Sequence, residues 1–513
     1  MSRRTSAGNP SVRLGFLKPC AARAACGRCG ERGRRPRSTF GRLLPRRLRR
    51  RHDLPAPPLA QGRRPGESHL QPILTTSGEG GAGRARCAVA AQNAVMRDAG
   101  ASRPGAEREP GAAPARSLGL AALLAATADR HPERIALIDQ PDKPSWCGRP
   151  AITWTFAAAR EIAARLTAGL QALRLPPRSP VGLCMAGITE SHLALLAIEQ
   201  AGHLPCLLPV TWDEARLLQA VEAAQVQAVI TQGQIGEDRP AERLCRVAAR
   251  YFPLRFVAAF GPHVPDGVLG IDRLVLDHRA DAAFGSAEVA GLVTFAGEET
   301  PRPVLRDGDG LTAATAQFLV PARIEPGDRI VSLLPPADLR GLVPGLAAAL
   351  LAGATLESHP VFDSASLAAT LARDVPTHLV APGWMEPGLG RTEVPARLRS
   401  LVFVHRAPVR LSGRAPGRRG VTDVVVLDEL ALVAGRRDAQ DVALMLAAPE
   451  RAGAGGLLQL RREPDGRLAV RGPAASARVL QRGIARNESV DEWTVSRFRA
   501  TRLGGVATAL EPV

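Results

Sequence analysis

Between residues 117 and 231 the chain alternates short buried-strand runs with stretches of helical periodicity, and no other property of the sequence narrows the choice of fold as sharply. Leu118, Leu120, Leu123, Leu124 and Ala128 recur at the helical period, and residues 129–132 end that helix. Residues 135–139 read as a strand. Residues 156–173, with Ile162, Leu166, Leu170 and Leu173 on one face, read as a long helix stopped by Pro176 and Pro177. Segments 181–185, 190–202, 204–209, 213–224 and 226–231 continue as strand, helix, strand, helix and strand. Strands that alternate with helices call for crossover connections, so a parallel, doubly wound α/β sheet is expected.

The 513 residues suffice for two to four domains with a large core. The net charge of +18 is concentrated at one end: residues 1–95 carry 20 Lys and Arg against four acids, whereas 96–513 carry 47 against 45. A Pro/Gly/Arg-rich head containing Arg46-Arg47-Leu48-Arg49-Arg50-Arg51 cannot bury a core and is expected to be disordered. Three readings of the head stay open. It is an arm that neutralises nucleic-acid phosphates, an organellar transit peptide, or an over-extended reading frame whose true start is Met96. The last is favoured by the strong bias to arginine in a chain with only two lysines, Lys18 and Lys143, as a GC-rich gene would spell it. Cys26-Gly-Arg-Cys29 has half of a zinc-site spacing without a second pair, so reduced, metal-free cysteines are expected. The longest apolar stretch, 342–356, is too short to span a bilayer, and a cytoplasmic protein without membrane contact is expected.

Several further pieces stand in a telling order. Ile152-Thr153-Trp154-Thr155-Phe156 fits "L-T-Y-x-E-L", residues 194–202 fit "L-A-x-x-K-A-G", and Leu207-Leu208-Pro209 fits "P-L-N-P". Residues 327–335 fit "G-D-x-x-L-x-x-x-P", and 348–355 fit "x-x-L-x-x-G-A-T". Phe362-Asp363 with 377–382 fits "F-D … T-x-x-x-x-x-P", and 466–473 is close to "G-E-L-x-V-R-G-P". In this order the pieces resemble the AMP-binding, adenylate-forming superfamily of acyl-CoA synthetases and AMP-dependent ligases, over about residues 117 to 500. The resemblance implies the large N-terminal domain of that fold: two doubly wound αβα subdomains plus a small β-rich C-terminal segment. The expected partition is a disordered head 1–116, a first α/β subdomain 117–290, a second α/β subdomain 291–440 with a degenerate phosphate loop, and a β-rich remnant 441–513. The family's C-terminal lid domain is expected to be absent.

The resemblance also places a site. Residues 291–311 occupy the position of the family's loop "T-S-G-T-T-G-x-P-K-G", in which amides and hydroxyls cradle ATP phosphates and a lysine adds charge. Thr294, Gly297, Thr300 and Pro303 are the nucleotide-binding candidates here. Glu298 and Glu299, however, stand where hydroxyls would donate, and no lysine follows. Arg302 or Arg306 could substitute only by charge, and both also read as ordinary loop arginines.

In Pro335-Pro336-Ala337-Asp338-Leu339-Arg340-Gly341 an aspartate replaces the histidine near the acyl pocket, for which Asp338, Gly341 and Pro382 are candidates. His405-Arg406-Ala407-Pro408 replaces a Gly-Gly-Ala-Pro turn. Ala407 and Pro408 are then nucleotide candidates, and bulky His405 and Arg406 are expected to crowd adenine. The "Y-G-x-T-E" motif falls near residues 425–430. The sole tyrosine, Tyr251, is elsewhere, so the adenine stack is missing. Glu429 is the candidate magnesium carboxylate in one register and Leu432 falls there in another; Asp428 and Glu429 equally read as acids at a helix N-terminus. The ribose aspartate aligns with Phe498, counted from Trp493. His192 and His203 read as helix-surface or loop residues.

The reading that follows is an AMP-binding, adenylate-forming domain with impaired catalysis. It is a pseudoenzyme that holds a small carboxylate or acyl ligand, or a protein partner, in a cleft lined around Leu333, Gly341 and Val380 to Trp384. The alternative is an active AMP-forming acid–thiol ligase of the acyl-CoA synthetase kind, with substituted site residues or completed by a partner chain. Glu429 and Arg302 are then catalytic, and ATP and Mg2+ are required. Nucleic acid is a partner only if the head belongs to the protein.

Overall fold

The computed structural model describes residues 119–513 apart from 263, 281–283, 286, 288–290, 298, 390–396, 411–419, 438–443, 446–455, 476–477, 482–483, 486–491 and 504–505. Contacts separate the chain into Met1–Asp98 and Ala99–Val513, and every described residue lies in the second unit. The basic head with Met96, Cys26 and Cys29 therefore lies outside the described residues, as does Glu298.

Within Ala99–Val513, local signals set the helices. Leu120–Arg130 buries Leu120, Ala121, Leu124 and Ala128 at the spacing read from the sequence. Phe156–Ala172 starts where Thr155 Oγ1 accepts from the amide of Ala158 (3.2 Å). Glu214–Ala224 starts where the Asp213 carboxylate accepts from the amide of Arg216 (2.8 Å).

The strands assemble into two large, mostly parallel sheets. In the nine-stranded first sheet, Pro180–Cys184 lies between Leu204–Leu207 and Ala228–Gln232, with Phe256–Phe260 beyond, all parallel. Leu292–Ala296 runs parallel to Leu204–Leu207 and antiparallel to Arg302–Arg306, whose outer edge pairs with Arg478–Gln481. The second sheet has eight strands. Its six central ones, Gly420–Leu427, Leu398–Arg406, Thr377–Pro382, Arg329–Ser332, Thr355–Ser358 and Ile135–Asp139, are parallel. Ala431–Arg436 and Thr153–Thr155 close its two edges antiparallel. A smaller antiparallel sheet of Gln459–Arg462, Arg467–Arg471, Thr494–Leu503, Val506–Pro512, Val409–Arg410 and Leu444–Met445 completes the fold. The large sheets exchange strands along the chain: Ile135–Asp139 sits in the second and Leu292–Ala296 in the first, so a cut at 290 divides both.

One helix joins the two large sheets. Thr189–Gln200 packs on strands of both, and every residue from Thr189 to Glu199 is buried. A helix buried on all sides lies in an interior, and its polar residues find partners there. This corrects the surface reading of His192, which is buried with Nε2 2.9 Å from Ser358 Oγ of the second sheet; His203 lies in a loop and is buried too. Burial holds the His192 imidazole down to about 4, with nearby Glu190 opposing. Among the described residues no helix is long and apolar enough to cross a membrane.

Candidate functional site

The stretch aligned with the phosphate loop is a β-hairpin connection. Leu292–Ala296 and Arg302–Arg306 pair up to Ala296 opposite Arg302, leaving residues 297–301 as the turn. Gly297 has φ +90, and a Cβ there would lie 2.4 Å from the carbonyl oxygen of Thr300, so only glycine fits. Thr294 and Pro303 are buried, while Glu299 and Thr300 are exposed. The amide of Gly297 does not wait for a ligand: it donates to Asp428 Oδ1 at 2.9 Å.

Asp428 comes from a tight turn, not from a helix N-terminus. Gly420–Leu427 and Ala431–Arg436 pair antiparallel up to Leu427 opposite Ala431, and the amide of Leu430 donates to the Leu427 carbonyl (2.8 Å). Asp428 and Glu429 both have positive φ, +46 and +62, as a turn matched to strand twist requires. Strand pairing outweighs the local preference of these acids for a helix start. The two carboxylates part company. Asp428 Oδ2 accepts from Arg302 Nη2 (3.0 Å) and from Arg497 Nε (2.8 Å), so Arg302 and Asp428 form a pair at the loop. Glu429 turns inward, where its Oε2 accepts from the amide of Leu339 (3.0 Å) and its carbonyl accepts from Arg306 Nη2 (2.8 Å). Burial, and then the charge of Asp338, push the Glu429 carboxyl up to about 7, against the Leu339 amide, Thr294 and Arg306. Arg306 is itself buried and is held down to about 10 by desolvation.

Asp338 opens the helix Leu339–Leu342 by accepting from the amide of Arg340 (3.0 Å), and its other oxygen accepts from Arg340 Nε (2.8 Å). Gly341 is buried in that helix, where a Cβ would lie 1.9 Å from the Pro335 carbonyl oxygen. The Pro335 loop packs directly on the helix backbone and fixes Asp338 and Arg340 at the rim of a cleft.

The cleft, about 280 Å3, lies between the two large sheets. Trp212, Phe295, Pro335 and Val426 give it flat apolar walls, and Arg216, Arg340, Arg406, Asp338, Asp428 and Glu429 give it charge. Arg216 stacks over Trp212 (4.6 Å) and donates to the Gly297 carbonyl (3.1 Å), and Trp212 meets Phe295 edge-on at 5.6 Å. Arg406 makes no ion pair with any described residue.

Sequence reasoning missed Trp212, Arg216 and the second role of Asp428. The signal for the first two was position, since Trp212 follows the end of Leu204–Leu207, where parallel sheets place ligand loops. Of the residues singled out in the sequence, Gly297, Asp338 and Glu429 line the cleft. Thr294, Thr300, Pro303, Gly341, Pro382, Ala407 and Pro408 are not among its lining residues, and Arg302 reaches it only through Asp428. Of the two bulky residues expected to crowd adenine, only Arg406 faces the cleft. His405 is buried on the other side with Nε2 3.1 Å from Asp423 Oδ1, because neighbours on a strand point to opposite faces. Val380 is core and Trp384 is 77% exposed, so neither lines the cleft. Phe498 is 1% exposed in the core of the small sheet with Val425, Leu460 and Val470. Tyr251 is buried at the end of Pro240–Arg250. Among the described residues no group of three or more His, Cys, Asp or Glu could hold a metal ion.

A second polar cluster is buried away from the cleft. Lys143, 0% exposed, donates to Asp139 Oδ2 (2.7 Å) and to both oxygens of Glu190 (2.7 and 2.6 Å). Arg149 donates to Glu190 Oε1 (2.9 Å) and, with two nitrogens, to Asp272 (2.7 and 3.0 Å). Asp139 also accepts from the amides of Thr189 and Ile152, both at 3.0 Å. Burial and then Glu190 raise the Asp139 carboxyl; burial works on Glu190 too, but Lys143 and Arg149 outweigh it and hold that carboxyl low. The one lysine of the described residues is therefore spent on joining the second sheet to the helix Thr189–Gln200.

The family model described as AMP-binding enzyme matches residues 124–261. The inhibitor-bound N-terminal domain of FACL13 from Mycobacterium tuberculosis superposes with a TM-score of 0.62 at 14% identity, over 78% of this chain and 100% of that one. Apo MbtA from Mycobacterium smegmatis gives 0.58 at 20% identity over 78% and 76%. Unliganded O-succinylbenzoate coenzyme A synthetase, MenE, from Bacillus subtilis gives 0.56 at 16% over 77% and 79%. No curated protein matches the chain. At these identities the likeness establishes the fold alone: the large sheets match the N-terminal domain of the adenylate-forming fold.

Proposed function

We propose that this chain, an adenylate-forming N-terminal fold with an AMP-binding match over residues 124–261, is a binding domain with impaired catalysis. Its ligand is a small carboxylate or acyl compound held in the cleft. One observation carries the reading: the acids of the cleft are engaged by the protein's own donors. Glu429, the position expected to hold magnesium, is 6% exposed, gives one oxygen to the Leu339 amide and has its carboxyl pushed up to about 7, first by burial. Asp428 occupies the loop amide, and Asp338 is tied to Arg340. A magnesium-bound triphosphate needs free amides and cations at the loop and a charged carboxylate for the metal. These residues do not offer that set.

What the cleft does offer is flat apolar surface at Trp212 and Phe295 and an arginine, Arg406, without an ion pair among the described residues. That combination suits an anion with an apolar body: the body packs on the rings and the carboxylate takes the guanidinium.

The test is thermal shift and calorimetry on the full chain with ATP and magnesium, and separately with a series of aryl and alkyl carboxylic acids. No response to millimolar ATP, together with a rise in Tm for some of the acids, is the expected result. A magnesium-dependent ATP response that is lost in Glu429→Ala would overturn the reading in favour of an active ligase.

A further inference from the structure

The amino-terminal rim of the first sheet gathers positive charge around one exposed aromatic ring. Residues 174–179 lead into Pro180–Cys184, and residues 251–255 lead into Phe256–Phe260, two strands away. Between them the amide of Gln227 donates to the Pro180 carbonyl (2.9 Å), and the amide of Arg255 donates to the Gln227 carbonyl (2.8 Å). Arg174, Arg178 and Arg255 are exposed and make no ion pair with any described residue. Glu222, exposed near the end of Glu214–Ala224, offsets one of these charges, and Arg250 is taken by Glu214 at 3.5 Å. Phe252 stands beside them at 86% exposure, the highest of any large apolar side chain among the described residues. Arg174 and Arg178 also sit on left-handed backbone, at φ +52 and +60, which favours glycine. The end of Phe156–Ala172 welcomes a positive charge at Arg174, yet at neither position does the backbone ask for a side chain.

We infer that this rim docks the protein on an anionic lipid bilayer, with Phe252 entering the headgroup layer and Arg174, Arg178 and Arg255 meeting the lipid anions. The two loops are about 10 Å apart at the backbone, close enough for their charges to act as one field and too spread to grip one small anion. A nucleic-acid strand would answer to the same charge, but one aromatic tip with no second exposed ring beside it gives successive bases nothing to stack on. A bilayer needs only the tip and the charge around it. That no described helix can cross a membrane bears on spanning alone. The cleft opens at the carboxyl ends of the strands, so docking at the amino ends leaves it clear, and the inference does not depend on what the cleft binds.

The experiment compares the full-length wild type with the double variant Arg174→Gly, Arg178→Gly, with Phe252→Ser and with Phe252→Trp. Glycine suits the backbone at both arginine positions and residue 252 is almost wholly in solvent, so all three variants are expected to keep the wild-type Tm. Binding is read by co-sedimentation with vesicles of equal parts phosphatidylcholine and phosphatidylserine, and with phosphatidylcholine alone. Affinity for the mixed vesicles is expected to fall about fivefold or more in the double glycine variant and in Phe252→Ser, with little binding of any protein to phosphatidylcholine. Residues 1–95 carry 20 Lys and Arg against four acids and can also attract the vesicles, so position 252 is probed directly. Phe252→Trp is expected to add fluorescence that bromine on the lipid acyl chains quenches, beyond the quenching seen in the wild type. Added fluorescence that bromine leaves untouched, or vesicle affinity unchanged in either of the other variants, would overturn the proposal. So would an arginine loss that weakens a single-stranded oligonucleotide and not the vesicles, which would give the rim to nucleic acid. If the double glycine variant does not fold, the quenching in Phe252→Trp decides.

Discussion

The Lys143 cluster and the cleft are built from similar charges and end up in opposite condition. Around Lys143, three acids and two cations are linked by hydrogen bonds of 3.0 Å or less, and the lysine is sealed from water. In the cleft, three acids and three arginines face an open space, every acid is held by a donor of the protein, and Arg406 is left without an ion pair among the described residues. A closed set of charges serves folding, since any change leaves a buried ion uncompensated. A set with a remainder serves binding, and here the remainder is positive.

The harshest way to break this contrast is Lys143→Met. With Asp139 left buried without its cation and Glu190 held by Arg149 alone, the expected loss is about 3–5 kcal/mol of stability, read as a fall in the urea midpoint. A loss below about 1 kcal/mol would mean that the cluster is not closed in the sense argued.

Glu429→Gln is milder and depends on pH. The folded-state carboxyl is raised to about 7 above a model value of 4.5, so between these pH values the native state holds a proton that the unfolded chain has released. Stability from this group therefore falls as pH rises through that window, by about 1–3 kcal/mol. The glutamine variant should match the wild type near pH 4 and exceed it at pH 8, with a flatter profile. Glu199, also pushed up to about 7 by burial, keeps the same slope in both proteins, so the variant flattens only part of the curve. Parallel profiles would show that Glu429 is ionised and solvated.

The smallest effect on stability is expected for Arg406→Ala, within about 0.5 kcal/mol, because no described residue pairs with the guanidinium. The same variant should weaken any carboxylate ligand about tenfold or more, which separates binding from folding in one measurement. A large loss of stability would place Arg406 with the closed set.

Local order was legible in the sequence, and long-range order was not. The strand Ile135–Asp139 follows from a short apolar run and the helix Phe156–Ala172 from a period of 3.6, which need only near neighbours. That Leu137 pairs with Leu356 has no local sign, which is why the strand looked like part of the first sheet. Asp428 and Glu429 read as helix-opening acids because a polar pair before an apolar run has that appearance. Only the pairing of Gly420–Leu427 with Ala431–Arg436 makes them a turn. Residues 405 and 406 read as part of a turn, whereas they end the strand Leu398–Arg406, whose alternation sends Arg406 to the cleft and His405 to Asp423. Lys143 gave no signal, since its partner Glu190 lies 47 residues along the chain.

The register of the second sheet has a consequence for how the protein is made. Ile135 meets Thr355, its hydrogen-bonded neighbour on the next strand, only after 220 more residues have been joined. At a synthesis rate of about 5–20 residues per second, that strand leaves the ribosome roughly ten to forty seconds before its partner exists. Its apolar residues Ala136 and Leu137 lack that neighbour for the whole interval, so this part of the second sheet closes only late in synthesis.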